Sequence, residues 1–392
     1  MGMRDDALLT LPRLRAAAFL MLTFFLTFGL GLVWYSNLLH PQGYLISTDQ
    51  IVFWEASRLA LEGHAAQAYD PKVLMSAVQE IDAKKHNFGW FYPPSFLLLI
   101  LPLGFFTYYQ AAVIFMTTTL GMYVAVMQKL LRGKDALFFL ASSPGLWINL
   151  LFGQNGFLTA GLAGLALLTL EQRPVAAGVF IGLLSLKPHL ALLFPVALLA
   201  RKSWRTLLAA ALTAAILLGV SAAALSFDTI PAWWHSLRAA RSMHLENHEL
   251  PTIMVSVFSM LRCIGVPVVP AYIVQALAAV YAVLSVWKLW RSTASPLLKN
   301  AALVTATFLV SPYLYCYDLA ALSLAIAWMA KFSMEAGWKP GEKAVLALAW
   351  LMPLVSFLAI WVHCLALVQL TIPLLLVMIL RRAGLNAALR WR

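Results

Sequence analysis

Apolar runs recur along this chain with short clusters of basic residues between them, and that alternation constrains the fold more than any other feature. The first run, 16–35, has about the 20 residues a helix needs to cross a bilayer, and Arg4, Arg13 and Arg15 precede it. Charged residues make up only 11% of the 392 positions and apolar ones 62%, against roughly 25% charged in ordinary soluble domains. The chain is therefore expected to be an all-α polytopic membrane protein. A net charge of +12 would suit nucleic acid, but such proteins gather Lys and Arg on one polar face. Here the basic residues sit between apolar runs, as the positive-inside rule predicts. No small-residue cleavage site follows the first run, so it is expected to stay as an uncleaved membrane helix. Cys263, Cys316 and Cys364 are far apart and give neither a disulfide framework nor metal-ligand spacing.

With the N-terminus inside, residues 37–93 form a first outer loop, the longest polar excursion in the first half of the chain. Within it, Ile51, Val52, Trp54, Leu59 and Leu61 interleave with Gln50, Glu55, Arg58 and Glu62. This mixed pattern suits a helix lying on the membrane surface and ended by Gly63. A weaker helix is expected over 71–85. The run 94–131 is broken by Pro102 and Gly104 and is read as one net crossing, a bent or re-entrant piece followed by a full helix. Further spans are expected near 136–152, 157–171, 174–187, 188–200 and 206–226. A second outer loop, 227–270, carries Trp233, Trp234 and His235, a cluster from His244 to Glu249 and a half-helix near 253–264. Spans near 271–290, 297–311, 318–331, 343–362 and 364–380 complete about twelve crossings of a single integral membrane domain, 1–392, whose tail is cytoplasmic.

This topology puts several polar motifs on one side of the membrane. Asp49 precedes the amphipathic helix, where an Asp ordinarily caps the first-turn amides. A carboxylate at the membrane edge also meets the needs of a general base, since partial desolvation raises its pKa toward a useful value. Lys187, between apolar segments and beside Pro188 and His189, reads either as a lysine reaching for the headgroups or as a ligand for an anion such as phosphate. Gly153-Gln154-Asn155-Gly156 is a turn between helices whose amide side chains can also serve sugar hydroxyls. Tyr315, Tyr317 and Asp318 combine aromatic surface with a carboxylate at a helix start, which fits a sugar site, an aromatic belt or a cap. Gly178 and Gly182 have the small-xxx-small spacing of a helix contact. The His-bearing stretch 235–248 lacks a tight metal spacing and is read as solvated loop.

Taken in order, Asp49, Gly63, Tyr69-Asp70, Tyr92-Pro93-Pro94, Gly153-Gln154-Asn155, Gly178 to Gly182, Lys187-Pro188, Ser311-Pro312 and Tyr317-Asp318-Leu319 resemble glycosyltransferase family 87. Its members are membrane enzymes of the GT-C superfamily that use polyprenyl-phosphate sugars, typically as mannosyltransferases. The resemblance covers 16–331. It implies a GT-C helical bundle whose first extracytoplasmic loop holds the catalytic Asp, matched by Asp49, and short membrane-parallel helices. It matches Lys187 to the family's Lys-Pro, and Gln154 and Asn155 to its Gly-Gln-x-Asn-like turn, with Asn one place early. Some members carry a His in the region of 311–318, where this chain has Tyr and Asp.

The resulting expectation is an inverting hexosyl transfer on the extracytoplasmic face of a bacterial inner membrane. Asp49 is the general base and Lys187 and Arg58 hold the donor phosphate. Tyr92, Gln154, Asn155, His189, Tyr315, Tyr317 and Asp318 line the sugar and acceptor. The partners are a polyprenyl-phosphate sugar, a lipid or glycan acceptor and membrane lipids, with no nucleic acid, cofactor or bound metal. The rival reading is a lipid or solute transporter, for which inverted repeats and broken midplane helices would be the mark.

Overall fold

In a bilayer each backbone amide must find its partner within the protein, so long apolar stretches fold as helices. The structure, a computed structural model, describes residues 9–39, 49–81, 89–131, 133–241, 253–359 and 362–385. Its elements are helical, and extended pairing among the described residues is limited to one antiparallel bridge between Met254 and Tyr315. The His244 to Glu249 cluster lies outside the described residues.

The chain opens with α1 (Leu11–Leu39), α2 (Gln50–Leu61), a 3₁₀ turn (Ala65–Tyr69) and α3 (Pro71–Ile81). The mixed pattern of α2 predicts a helix with one wet face, but the structure buries Gln50, Ile51, Val52, Phe53, Glu55, Ala56, Ser57 and Leu59. The reason lies in its neighbours, α4 (Pro94–Ile100) and the 3₁₀ turn Leu101–Phe105. Ser57 Oγ donates to the Ile100 carbonyl at 3.0 Å and Trp54 Nε1 to that of Phe106 at 2.8 Å. The segment between runs alongside α2 before α5 (Tyr108–Leu130) begins, as expected of a bent piece ahead of a full helix. Thr107 and Gln110 start α5 with a capping box, Thr107 Oγ1 accepting from the Gln110 amide and Gln110 Oε1 from that of Thr107.

Next come α6 (Lys134–Ala141), α7 (Pro144–Phe152), α8 (Gly156–Thr169), α9 (Pro174–Leu183) and, after 3₁₀ turns at Leu184–Leu186 and Pro188–Leu190, α10 (Leu193–Ala200). The long α11 (Trp204–Leu225) leads to α12 (Thr229–Arg241), a helix where the sequence suggested loop. The remainder is α13 (Val257–Cys263), α14 (Val268–Arg291), α15 (Pro296–Thr307), a 3₁₀ turn (Cys316–Ala321) running into α16 (Leu322–Ala336), α17 (Glu342–Leu358), a 3₁₀ turn (His363–Leu370) and α18 (Thr371–Arg382).

Five of these, Leu11–Leu32, Tyr108–Leu130, Trp204–Leu225, Val268–Arg291 and Cys316–Ala336, are long and apolar enough among the described residues to cross a membrane. A sixth results if α6 and α7, bent by 46°, form one span. Among the described residues, full-length helices account for five or six of the twelve expected crossings. The apolar runs over 156–200 fold into the shorter helices Gly156–Thr169, Pro174–Leu186 and Pro188–Ala200, interrupted where Pro174 and Pro188 cannot donate to a preceding turn.

Helix direction separates two ends of the bundle. At one end lie ion pairs between turns: Arg15 with Asp135 at 2.7 Å and Arg201 with Glu171 at 2.6 Å. The helices α6 and α7 lead from Asp135, and α8 leads back from Glu171, to the opposite end, where Gly153 and Asn155 join α7 to α8. Halfway along, α9 packs on α11 so closely that a Cβ on Gly178 would stand 2.5 Å from the Thr206 carbonyl oxygen, and one on Gly182 2.7 Å from that of Ala210. Gly178→Val is therefore expected to push the two helices apart and cost about 1–3 kcal/mol. Gly121→Val, at a position with open space around it, should be nearly neutral. Thermal unfolding in detergent would compare them, and equal melting temperatures would refute the close contact.

Candidate functional site

The end of the bundle opposite the Arg15 and Arg201 ion pairs gathers buried polar side chains around the turn between α7 and α8. Gly153 takes the left-handed conformation (φ 62°) that closes α7. Three residues later Gly156 leaves no space for a side chain, since a Cβ would lie 2.5 Å from both Asn149 Oδ1 and the Tyr317 carbonyl oxygen. Asn149 Oδ1 accepts from the Gly156 amide at 2.9 Å. Two residues are thereby presented from a rigid turn, Gln154 and Asn155, and both are buried.

Asp49 reaches the turn from the other side. Its amide donates to the Phe152 carbonyl at 3.0 Å, which pins the start of α2 to the end of α7. Asp49 occupies the N-cap position, yet its side chain makes no capping hydrogen bond. One carboxylate oxygen, Oδ2, instead accepts from Gln154 Nε2 at 3.0 Å. The amide's orientation is fixed from its far side, where Tyr92 donates its hydroxyl to Gln154 Oε1 at 3.1 Å and the Asn155 amide approaches the same oxygen at 3.4 Å. Burial, with the Asp318 and Asp49 carboxylates nearby, pushes the Tyr92 phenol well above its ordinary range. Tyr92 therefore stays a proton donor at neutral pH and keeps the Gln154 amide nitrogen facing Asp49.

The second residue of the turn serves a different charge. Asn155 Oδ1 accepts from Lys187 Nζ at 3.1 Å, and Lys187 Nζ lies 2.5 Å from Asp318 Oδ1. Both partners are buried, Lys187 at 4% exposure and Asp318 at 0%. The rings of Tyr317 and Tyr92 flank the ammonium at 4.9 and 5.9 Å. Asp318 uses its other oxygen to accept from the Tyr315 amide at 3.1 Å, and Tyr315 stacks on Tyr317 with centroids 5.3 Å apart. The segment carrying them is held from outside by the Val255 amide, which donates to the Leu314 carbonyl at 2.7 Å, and by the Cys316 amide, which donates to that of Ile253 at 2.9 Å.

Seven of the expected residues thus meet at one place: Asp49, Tyr92, Gln154, Asn155, Lys187, Tyr317 and Asp318, with Tyr315 as the outer ring of the stack. His189 follows two residues after Lys187, its Nε2 buried without a hydrogen-bond partner. Arg58 is not brought to the group. It lies nine residues from Asp49, about 13 Å along a helix, half-exposed and within 3.6 Å of Glu55 and 3.4 Å of Glu62. Lys187, expected at a phosphate, has its charge met by a buried carboxylate. Sequence reasoning missed two contributors: Asn149, which braces Gly156, and Trp233, whose Nε1 donates to the Phe91 carbonyl at 3.1 Å beside Tyr92. The only sequence signal for the second is the adjacent pair Trp233-Trp234 in the second outer loop.

Apolar helices, with a half-buried carboxylate and a buried ion pair joined by one turn, define a membrane protein with a polar cluster at one end of its bundle. The family follows from comparison. The model of glycosyltransferase family 87 matches residues 90–312, more than half of the chain, and the protein belongs to that family. Membership makes it a membrane glycosyltransferase. The matched stretch holds Tyr92, Gln154, Asn155 and Lys187, while Asp49 and Asp318 lie on either side of it. No curated protein and no solved structure matches the chain.

Removing Lys187 would leave the Asp318 carboxylate buried without its partner, a change that typically costs about 3–5 kcal/mol. Lys187→Met and Asp318→Leu are each expected to destabilise the protein by that order, and the two together by clearly less than the sum of the single changes. Unfolding in detergent across this double-mutant cycle measures the coupling, and additive losses would show that the pair does not act as a unit.

Proposed function

We propose that the protein transfers a hexose, mannose in the first instance, from a polyprenyl-phosphate donor to a hydroxyl of a lipid or glycan acceptor, with inversion. The whole chain acts as one GT-C-like unit in a bacterial inner membrane, with α2 and α3 along the extracytoplasmic surface and the Asp49 end of the bundle facing that side. The single observation that carries the reading is Asp49. A carboxylate positioned to cap a helix is turned instead to a buried glutamine amide, in a chain whose family transfers sugars.

An Asp that accepts a hydrogen bond from an amide N–H has an unprotonated oxygen there. In the proposed reaction the acceptor hydroxyl oxygen attacks the anomeric carbon, and its proton passes to the Asp49 carboxylate. The bond from that carbon to the phosphate oxygen breaks, and polyprenyl phosphate leaves. One displacement on one face inverts the centre. Gln154 holds Asp49 in line, Tyr92 holds Gln154, and Lys187 with Asp318 fixes Asn155 and hence the turn. Tyr315 and Tyr317 offer aromatic surface for a sugar, and His189 lies at the margin of the same group. No step calls on a nucleotide.

General-base assistance is worth roughly 10²–10⁴-fold in rate. Asp49→Asn should lower kcat by about that factor while donor binding stays near the original value, because the amide keeps the shape and loses the proton acceptor. Turnover close to the original enzyme would remove Asp49 from this role. Gln154→Ala removes one orienting hydrogen bond, worth about 1 kcal/mol, and is expected to slow kcat roughly five- to tenfold with the melting temperature little changed. An effect confined to KM would contradict a positioning role.

A further inference from the structure

One polar atom beside the ion pair is left unmet. His189 Nε2 is enclosed by the protein and finds no hydrogen-bond partner among the described residues. An enclosed donor or acceptor without a partner costs stability, and a ligand that completes it recovers that cost. The imidazole also lies close enough to Lys187 and Asp318 for both charges to act on it.

The path of the chain sets the depth of this atom. Helix α9 starts just after Glu171, and α10 ends just before Arg201, which pairs with Glu171 at 2.6 Å. The two short helices therefore form a hairpin with Lys187-Pro188-His189 at its tip. Helices α9 and α11 run in the same direction, Gly178 against Thr206 and Ala210 and Gly182 against Ala210 and Thr213. Carried on to the tip, that register reaches the part of α11 near Leu217, and α11 continues to Leu225, about 10 Å farther. Ile216 and Val220, on either side of that level, are exposed at 63% and 51%, as lipid-facing residues of a span are. The tip thus lies within the apolar depth of the membrane, where an orphaned polar atom is costliest. Pro188 and Leu192 are exposed and His189 is partly so, while its Nε2 is enclosed on the side of the bundle.

Lys187 and Asp318 neutralise one another, so the partner missing from His189 is a neutral group. A hydroxyl can give or accept a hydrogen bond, whichever tautomer the imidazole adopts. Asp49 and His189 stand at opposite ends of one series of contacts, from Asp49 to Gln154, Gln154 to Asn155 and Asn155 to Lys187, two residues before His189. With the acceptor hydroxyl at Asp49, the group left for His189 is the sugar of the donor. We propose that His189 is a specificity-determining residue whose Nε2 hydrogen-bonds one hydroxyl of the transferred hexose. The role rests on the transferase reading above and adds to it the side chain that discriminates among hexoses. A site that hydrogen-bonds a substrate hydroxyl rejects the analogue lacking it, because its own polar atom is then left unmet.

The purified full chain in detergent is assayed with undecaprenyl-phosphate mannose, glucose and galactose, and with the monodeoxy analogues of the one turned over fastest, for the original protein, His189→Ala and His189→Gln. The original protein is expected to lose about 10- to 100-fold in kcat/KM on one analogue. His189→Ala should lose a similar factor on the complete sugar, become indifferent to that one hydroxyl and still discriminate at the others. His189→Gln, which keeps a donor and an acceptor, should recover part of the loss. Discrimination left intact at every hydroxyl in His189→Ala, whether or not its melting temperature falls, overturns the proposal. Where His189→Ala does not purify folded, weakened discrimination at one hydroxyl in His189→Gln supports the contact and unchanged discrimination overturns it. Binding of the same lipid-linked sugars and of undecaprenyl phosphate is titrated alongside. A sugar-dependent gain in affinity that His189→Ala abolishes, in a protein that transfers from no polyprenyl-phosphate donor, would sink the transferase reading and leave the hydroxyl contact standing. Ordinary turnover with unaltered discrimination would do the reverse.

Discussion

A lysine ammonium 2.5 Å from an aspartate, both shut away from solvent, is the interaction on which the polar end of this bundle depends. Stripping water from two charges costs several kcal/mol per ion, and their attraction repays it only when further hydrogen bonds complete the geometry. Those bonds are present: Asn155 takes one lysine proton, the Tyr315 amide gives to the second carboxylate oxygen, and two tyrosine rings face the ammonium. The pair joins residues 131 positions apart, so it fixes how the α8 to α10 portion meets the turn before α16. Through Asn155 it also fixes the turn that carries Gln154, and through Gln154 the carboxylate of Asp49. The charge pair and the Asp49 carboxylate are two ends of one hydrogen-bonded chain that passes through a four-residue turn.

The turn explains why two glycines stand there. Gly153 supplies a left-handed close to α7, and Gly156 lets the Tyr317 carbonyl come against the first turn of α8. Without that approach Asn155 and Asp318 would not reach the same ammonium. Ordinary backbone constraints thus set the geometry of a site whose charged members come from distant parts of the chain.

Much of this was legible in the sequence because polar motifs between apolar runs are forced to the ends of a helical bundle, and alternating helix direction puts every second turn at the same end. That reasoning was enough to gather Asp49, Tyr92, Gln154, Asn155, Lys187, Tyr317 and Asp318. It could not show what each side chain would touch. Asp49 reads locally as a cap, and only Gln154, 105 residues away, reveals otherwise. Lys187 reads as a lone cation because its partner lies beyond local spacing. Arg58 lies nine residues along α2 from Asp49 and meets Glu55 and Glu62, and α2 reads as a membrane-surface helix because its polar residues resemble a surface pattern when their burying neighbours are unknown. The sequence suggests about twelve crossings where five described segments are long and apolar enough to span, because an apolar half-helix packed inside a bundle and an apolar helix facing lipid have the same composition.

In the proposed reading, this end of the bundle moves a sugar from a lipid phosphate. Its most direct test is to incubate the purified protein, with a membrane lipid extract as acceptor, separately with a panel of polyprenyl-phosphate hexoses and with nucleotide hexoses, and to follow release of the carrier. The expected outcome is release of polyprenyl phosphate from at least one member of the first panel, with label appearing in lipid or glycan with inverted anomeric configuration. Transfer from a nucleotide sugar alone, or retention of configuration in the product, would contradict it.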